Sequence, residues 1–466
     1  MNIERISQRP DSTPPAKTAV RRDRALYIAL FSVSFATSVL LDCGLVCSND
    51  GSHFALVSAL AEDRSAIIDR FLPYTRNVDL SFKDGHAYSD RPPGTAVLAV
   101  PWYLAAKAAG LEGAGREQVV ALLPALLGAL AVVLTYAICR ALGLGPAPAA
   151  LAALALALCT PHRTYSSSLW SHAPAAFFVA LASWLALGAI DDPKRRRLLL
   201  LGLACGYGAG VDYSSVVPGA IICLAALGRN LRRGLLPLAA GLVAGALPAL
   251  IYAAVAFGSP FATPYRYHVG WEATRQLSTM YGGRFFEGLA GLLVRPEAGL
   301  LLYSPVLVLA FWAAPRTWRA IGTRRAAATL LPALALLLLT ARHATWHGGA
   351  AHDARYLTPV MPLFCVPLGF FYARTGRAGL AAFWGLFDAS ALIQIAKHAV
   401  GWMRSATPFV LQILDAASRS APIDVGGFLS WLFPHPIAAA AILAGGLAGA
   451  AFVWPRPPRP SVVETP

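Results

Sequence analysis

The chain predicts an all-α, polytopic integral membrane protein, and three observations carry that prediction. Of its 466 residues, 56% are hydrophobic and only 14% charged, against about 25% charged in an ordinary soluble domain. Apolar runs recur along most of the length, and within lipid each run must satisfy its own backbone as a helix. The basic residues gather in a few short loops, the pattern of segments held on the cytoplasmic side. Mean hydropathy, +0.55, agrees. The same clustering accounts for the formal charge of +15, so nucleic acid is not a predicted partner, and no nucleic-acid module appears.

Residues 1–24 are polar and rich in Pro and Arg, which predicts a disordered cytoplasmic tail. The next apolar segment has no small-residue cleavage site, so it reads as a retained first span. Residues 25–454 form one transmembrane domain. A span needs about 20 residues, and runs of that order begin near Ala25, Leu235, Gly299, Ala326, Tyr356, Ala378 and Pro436. Two shorter runs, Leu198–Val211 and Ser215–Leu227, predict a hairpin turning at Asp212. Four apolar segments lie between the first outer loop and Lys194: Thr95–Ala109, Val119–Ile138, Pro148–Leu158 and Pro174–Ile190. The charge rule allows only an odd number of crossings there, so one of the short pair, starting at Thr95 and Pro148, stops short. The total is about 12 spans, roughly 11 to 13.

The basic loops are Lys194–Arg197, Arg229–Arg233, Arg316–Arg325 and Arg374–Arg377. Placing them in the cytoplasm leaves 42–93, 258–298, 342–355 and 397–434 as outer loops. In the large first outer loop, His53–Glu62 shows one apolar face and predicts an interfacial helix. The tail 455–466 is Pro-rich and reads as disordered. Cys43 and Cys47 have helical spacing, which suits a disulfide poorly, so free thiols are expected.

Four places carry candidate chemistry. Asp50 lies just beyond the first span. It reads equally as a general base or as a cap on the following helix. Tyr88-Ser89-Asp90-Arg91-Pro92-Pro93-Gly94 puts a guanidinium on a stiff backbone, where it suits phosphate oxygens; a snorkelling Arg is the plain alternative. Arg342–Tyr356 packs three His, Asp353, Arg355 and Tyr356 between two spans. Arg355 and Tyr356 suit a phosphate or sugar contact, and a divalent metal at His347, His352 or Asp353 stays open, although the spacing matches no strong metal motif. The loop containing Tyr265, Trp271 and Tyr281 suits carbohydrate, with an aromatic belt as the alternative. His172 and Asp212 either complete a site or cap helices.

Taken in order, these motifs resemble the C superfamily of membrane glycosyltransferases (GT-C), in particular protein O-mannosyltransferases and the lipid A aminoarabinose transferase. The resemblance rests on Asp50; on Tyr88–Gly94; on Gly299-Leu300-Leu301-Leu302-Tyr303-Ser304-Pro305; and on Trp346-His347-Gly348-Gly349 followed by Arg355-Tyr356-Leu357-Thr358-Pro359. It covers about Ala25 to Phe370. It implies a polyprenyl-phosphate sugar donor, inverting transfer, Asp50 as the catalytic carboxylate acting as base and Arg91 on the lipid phosphate. Asp42 or Asp90 would be a second acidic helper, with Tyr88, Arg355, Tyr356, His172, Tyr303 and Tyr265 as substrate contacts. No cofactor is implied with certainty. The expected partners are the lipid-linked sugar, a glycan, lipid or protein acceptor, and membrane lipids. The expected location is the bacterial inner membrane with the site on its extracytoplasmic face. Two departures stand out: where many relatives have Asp-Glu or Asp-x-Asp in the first loop, this chain has Asp50-Gly51, and where relatives often place an Asp after the fourth apolar segment, it has His172. A transporter or flippase for the same lipid, or a ligase of preassembled glycans, is the rival reading. Transporters are built from internal repeats, and this sequence shows none.

Overall fold

The computed structural model describes residues 17–40, 44–228, 231–270, 272–351 and 353–399. The expected span near Pro436, most of the loop 397–434, residues 1–16, Asp42 and the tail 455–466 lie outside the described residues, while residues 17–24, expected in a disordered tail, are the first turns of the helix Lys17–Leu40. So does Cys43, which leaves its pairing with Cys47 outside as well.

The protein is a helical membrane protein. Among the described residues, six helices are long and apolar enough to cross a bilayer: Asp23–Leu40, Gly113–Ala141, His172–Asp191, Gly234–Phe257, Arg355–Arg374 and Arg377–Ile395. A seventh candidate is the pair Thr323–Thr329 and Leu331–Ala341, bent by 49°. The bend falls at Leu330, next to Pro332 in the first turn of the second helix, where proline's missing N–H interrupts the ladder. The remaining segments counted toward about twelve spans are shorter. Gly94–Ala108 has 15 residues and Pro146–Cys159 has 14, and at ~1.5 Å per residue neither alone reaches through ~30 Å of hydrocarbon. The run expected from Gly299 is broken at Ser304-Pro305 into Leu300–Tyr303 and Leu307–Ile321.

The hairpin expected at Asp212 is present. Helix α1 (Arg195–Val211) and helix α2 (Val216–Leu227) flank a 3-10 turn at Tyr213–Ser215, in which Ser214 N donates to the Asp212 side chain. Helix α3 (Leu231–Phe257) packs along α1 through two matched glycine pairs. A Cβ on Gly202 or Gly206 would lie 2.2 Å from the Leu238 or Leu242 carbonyl, and on Gly241 or Gly245 it would lie 2.1 or 2.3 Å from Leu199 or Leu203. Small residues four apart let two helix backbones touch, which is how helices associate in lipid. At the top of α1, a Cβ on Gly94 would lie 2.6 Å from the Gly210 carbonyl, and Tyr207 donates to the Gly94 carbonyl at 3.0 Å. That contact seats the Arg91-Pro92-Pro93 turn beside Asp212.

The first loop departs from expectation in two ways. The helix predicted to lie flat, here Ser48–Ser58, buries every residue from Asn49 to Ser58, polar ones included, so it is a packed element and not an interfacial one. The chain also contains strands. Leu80–Lys83 pairs antiparallel with His86–Ser89 around a two-residue turn. Asp84 and Gly85 take φ of 51° and 85°, the left-handed pair that an Asp-Gly hairpin turn requires.

The loops sort into two packed ends. Val269 N donates to the Leu80 carbonyl at 3.0 Å, Gly283 N to Arg342 at 2.9 Å, and Ala344 N to Met280 at 2.7 Å. These bonds join loops 42–93, 258–298 and 342–355 into one cap. At the other end Arg325 pairs with Asp191 at 2.8 Å and Arg324 donates to the Ala225 and Ala226 carbonyls.

Candidate active site

Beneath that cap the fold buries charge. Arg91 leaves the Pro-Pro turn and bridges two carboxylates, with Nη2 2.6 Å from Asp79 and Nε 3.2 Å from Asp90. Asp90 is buried and also meets His268 Nε2 at 3.1 Å and the Ser52 hydroxyl at 3.0 Å. Burial pushes the Asp90 carboxyl up, but Arg91, His268 and Ser52 outweigh it and hold it below the ordinary carboxylate range. Burial likewise opposes the charge on Arg91, and Asp90 and Asp79 more than restore it. Asp90, expected as an acidic helper, is therefore an anchored anion and a weak proton acceptor.

Asp79, Asp90 and His268 bring three ligand-type atoms within 4.8 Å of one another. They do not fit a resident metal, because Arg91 already supplies the cation to both carboxylates and a second one would have to displace it. Of the other metal candidates, His352 lies outside the described residues, and Asp353 and His347 are not gathered into one site. Asp353 accepts from Tyr165 at 2.7 Å and pairs with the buried Lys397, while the His347 ring faces its own backbone at Gly349 N, 3.1 Å away.

Asp50 turns toward its own helix. Its carboxylate accepts from Val46 N at 2.6 Å, Cys47 N at 2.9 Å and Gly51 N at 3.0 Å. Complete burial lifts it to about 6 against the pull of those donors. The capping geometry that the sequence set beside the base reading is thus present.

Two histidines face the same interior. His172 opens the helix His172–Asp191, and its Nδ1 lies 2.9 Å from Asp212 Oδ2. Asp212 also accepts from Ser214 N at 3.0 Å and Ser171 Oγ at 3.3 Å. Burial would raise Asp212, but His172 and Ser214 prevail and hold it at about 2. His172 Nε2 is buried without a partner. His53 is buried with neither ring nitrogen bonded; burial, assisted by Arg91, lowers it to about 3, so it stands as a neutral imidazole.

Arg355 closes the far side. Its guanidinium stacks over Trp170 at 5.1 Å and Tyr356 at 4.9 Å and reaches the Tyr356 hydroxyl at 3.3 Å. Its Nε is buried without a partner, and among the described residues no carboxylate pairs with it. Tyr265 stacks edge-on against Tyr213 at 5.7 Å, and Arg91 acts on its phenol. Two expected contacts sit elsewhere. Tyr88 packs on Phe257 at 5.3 Å, and Tyr303 donates to the Pro296 carbonyl at 2.7 Å inside the core. Asp79, His53 and His268 were not singled out from sequence, since nothing local marks an isolated buried His or Asp. The hairpin bridge Ser81↔His268 is what delivers His268.

Comparison with known proteins places this architecture. A family model described as dolichyl-phosphate-mannose-protein mannosyltransferase matches residues 90–257, a stretch that includes Asp90, Arg91, His172 and Asp212 but neither Asp50 nor Arg355. No curated protein matches the chain by sequence. Among solved structures, ArnT from Cupriavidus metallidurans bound to undecaprenyl phosphate is similar with a TM-score of 0.56 at 15% identity, over 94% of this chain and 77% of that one. Apo ArnT from the same organism gives 0.51 at 18%, over 82% and 64%. The apo oligosaccharyltransferase of Archaeoglobus fulgidus gives 0.46 at 12%, over 83% and 56%. The chain thus spans less than two thirds of those last two proteins.

Proposed function

With the fold of the GT-C membrane glycosyltransferases as premise, we propose that this protein moves a sugar from a polyprenyl-phosphate donor to an acceptor hydroxyl with inversion, on the extracytoplasmic face of a bacterial inner membrane. The observation that carries the reading is Arg355. Its guanidinium is half-buried, with Nε shielded from solvent and unpartnered and no carboxylate beside it among the described residues; that is costly, and a ligand anion removes the cost. Arg91 lies close enough to act on the same environment. Together they suit a phosphate oxygen pair, and positive charge fixed where the leaving phosphate develops negative charge is the largest catalytic effect such a site has. The matched ArnT structure contains undecaprenyl phosphate, in keeping with a lipid-borne leaving group. No step here requires a metal.

The test is binding followed by turnover in the purified protein. Undecaprenyl phosphate affinity should fall about 10- to 100-fold in Arg355→Ala, the loss of one charge-assisted contact. It should fall less in Arg355→Lys, which keeps the charge without the fork. Arg355 is the cleaner target, because removing Arg91 would strand the buried Asp90 and the half-buried Asp79. Equal affinity in wild type and Arg355→Ala places the phosphate elsewhere. Tight binding with no transfer from any lipid-linked sugar favours the flippase reading.

A further inference from the structure

We propose that the His172–Asp212 pair is the proton acceptor of this site: His172 Nε2 takes the proton of the acceptor hydroxyl, while Asp212 orients the ring. This rests on the transferase reading. Three independent features of the geometry point to it. The pair is built like the base half of a hydrolytic triad, with a carboxylate on one ring nitrogen and the other nitrogen left for substrate. Asp212 is itself fixed, by Ser214 N at 3.0 Å and Ser171 Oγ at 3.3 Å, so the 2.9 Å contact to Nδ1 sets the ring plane. A carboxylate held as an anion accepts the Nδ1 proton, which leaves the lone pair on Nε2. That nitrogen is buried and unpartnered, an arrangement that costs free energy unless a ligand donor fills it. The charged and titratable groups facing His172 are Asp212, Arg355, Arg91, His53, Tyr165 and Tyr356.

The other buried carboxylates here already have their oxygens engaged. Asp90 is bound by Arg91, His268 and Ser52. Asp50 has three backbone donors on its two oxygens. The hydroxyl oxygen attacks the anomeric carbon, and the bond from that carbon to the phosphate oxygen breaks with its electron pair on the phosphate. The hydroxyl proton moves to Nε2, giving an imidazolium paired with Asp212, and returns to water when products leave.

The test compares His172→Gln, Asp212→Asn, the double variant and Asp50→Asn, reading both donor binding and single-turnover transfer. His172→Gln should bind undecaprenyl phosphate as wild type does and transfer about 10²- to 10⁴-fold more slowly, the range for losing a positioned base. Wild-type transfer should decline toward acid as Nε2 takes a proton, and His172→Gln should lose that limb. Adding Asp212→Asn to His172→Gln should cost little more, since the two act as one unit. The ¹⁵N-histidine spectrum should lose, in His172→Gln, the signal of a neutral ring protonated on Nδ1, a readout independent of turnover. A His172 signal protonated on Nε2 at neutral pH overturns the proposal, as does near-normal transfer by His172→Gln beside a dead Asp50→Asn. Wild type that neither binds the lipid nor transfers sugar fails the transferase reading, while the tautomer still decides the pair.

Discussion

At the scale of the residue, the first loop shows how one carboxylate can hold a segment in place. Asp50 satisfies three backbone N–H groups at the start of the Ser48–Ser58 helix. An Asn there keeps one acceptor and turns an amide donor toward the remaining N–H groups, so Asp50→Asn should lower stability even if transfer survives. The pH dependence separates the two effects. A carboxyl raised to about 6 by burial stabilises the fold below its unfolded value and loses that contribution as pH rises through 6. Thermal scans in detergent should therefore find wild type gaining stability relative to Asp50→Asn between pH 7 and pH 4, by up to ~3 kcal/mol. A pH-independent difference would mean that Asp50 is not the buried group drawn here. Asp50 was legible in sequence as a choice between two roles, because position names the residue and only the backbone around it names its partners.

At the scale of the element, legibility followed period and chemistry. The α1–α2 hairpin was readable because two apolar runs flank a single Asp, and the short segments because length is counted directly. The strands were missed although Lys83-Asp84-Gly85-His86 carries a hairpin turn signal, since a membrane composition had already fixed the expectation of helices. The helix His53–Glu62 was misjudged because an apolar face says nothing about what covers the other side; here the hairpin and the helix Gly94–Ala108 do. One link could not have been found at all from sequence. Lys397 and Asp353 form a fully buried pair, with Tyr165 as a third member. It ties the helix Arg377–Ala399 to the residues just before Arg355. Breaking such a pair leaves an uncompensated buried charge, so Lys397→Met should cost about 3–5 kcal/mol, and pairing it with Asp353→Leu should recover much of that. Thermal midpoints of the three variants check this; full additivity would exclude the coupling. The glycine seam makes a second prediction. Gly206→Val places side-chain atoms where the Leu242 carbonyl stands, and overpacking of this kind costs at least 1–3 kcal/mol.

At the scale of the whole molecule, the site depends on all three described outer loops lying on one side. The structure joins them by backbone bonds between Val269 and Leu80, Gly283 and Arg342, and Ala344 and Met280, so they cannot be divided between two faces. The basic loops knit together at the other end through Arg325–Asp191 and Arg324. The charge rule then orients the pair of ends, with Lys194–Arg197 inside. The consequence for the proposed function is chemical: with the cap on the outer face, as proposed, nucleotide sugars are not at hand, and a lipid-carried donor is the remaining source of an activated sugar. Cysteine labelling measures the orientation. Asp84 and Arg284 have side chains 79% and 90% exposed on the outer cap, and Lys194 is 70% exposed at the opposite end. In a background without native Cys, a membrane-impermeant thiol reagent on intact cells should label Asp84→Cys and Arg284→Cys. Lys194→Cys should react only once the membrane is opened. The reverse pattern would put Arg91, Arg355 and His172 toward the cytoplasm, where soluble nucleotide sugars compete as donors, and the polyprenyl-phosphate reading would lose its physical basis. Labelling of Asp84→Cys and Arg284→Cys from opposite faces would contradict the loop pairing itself.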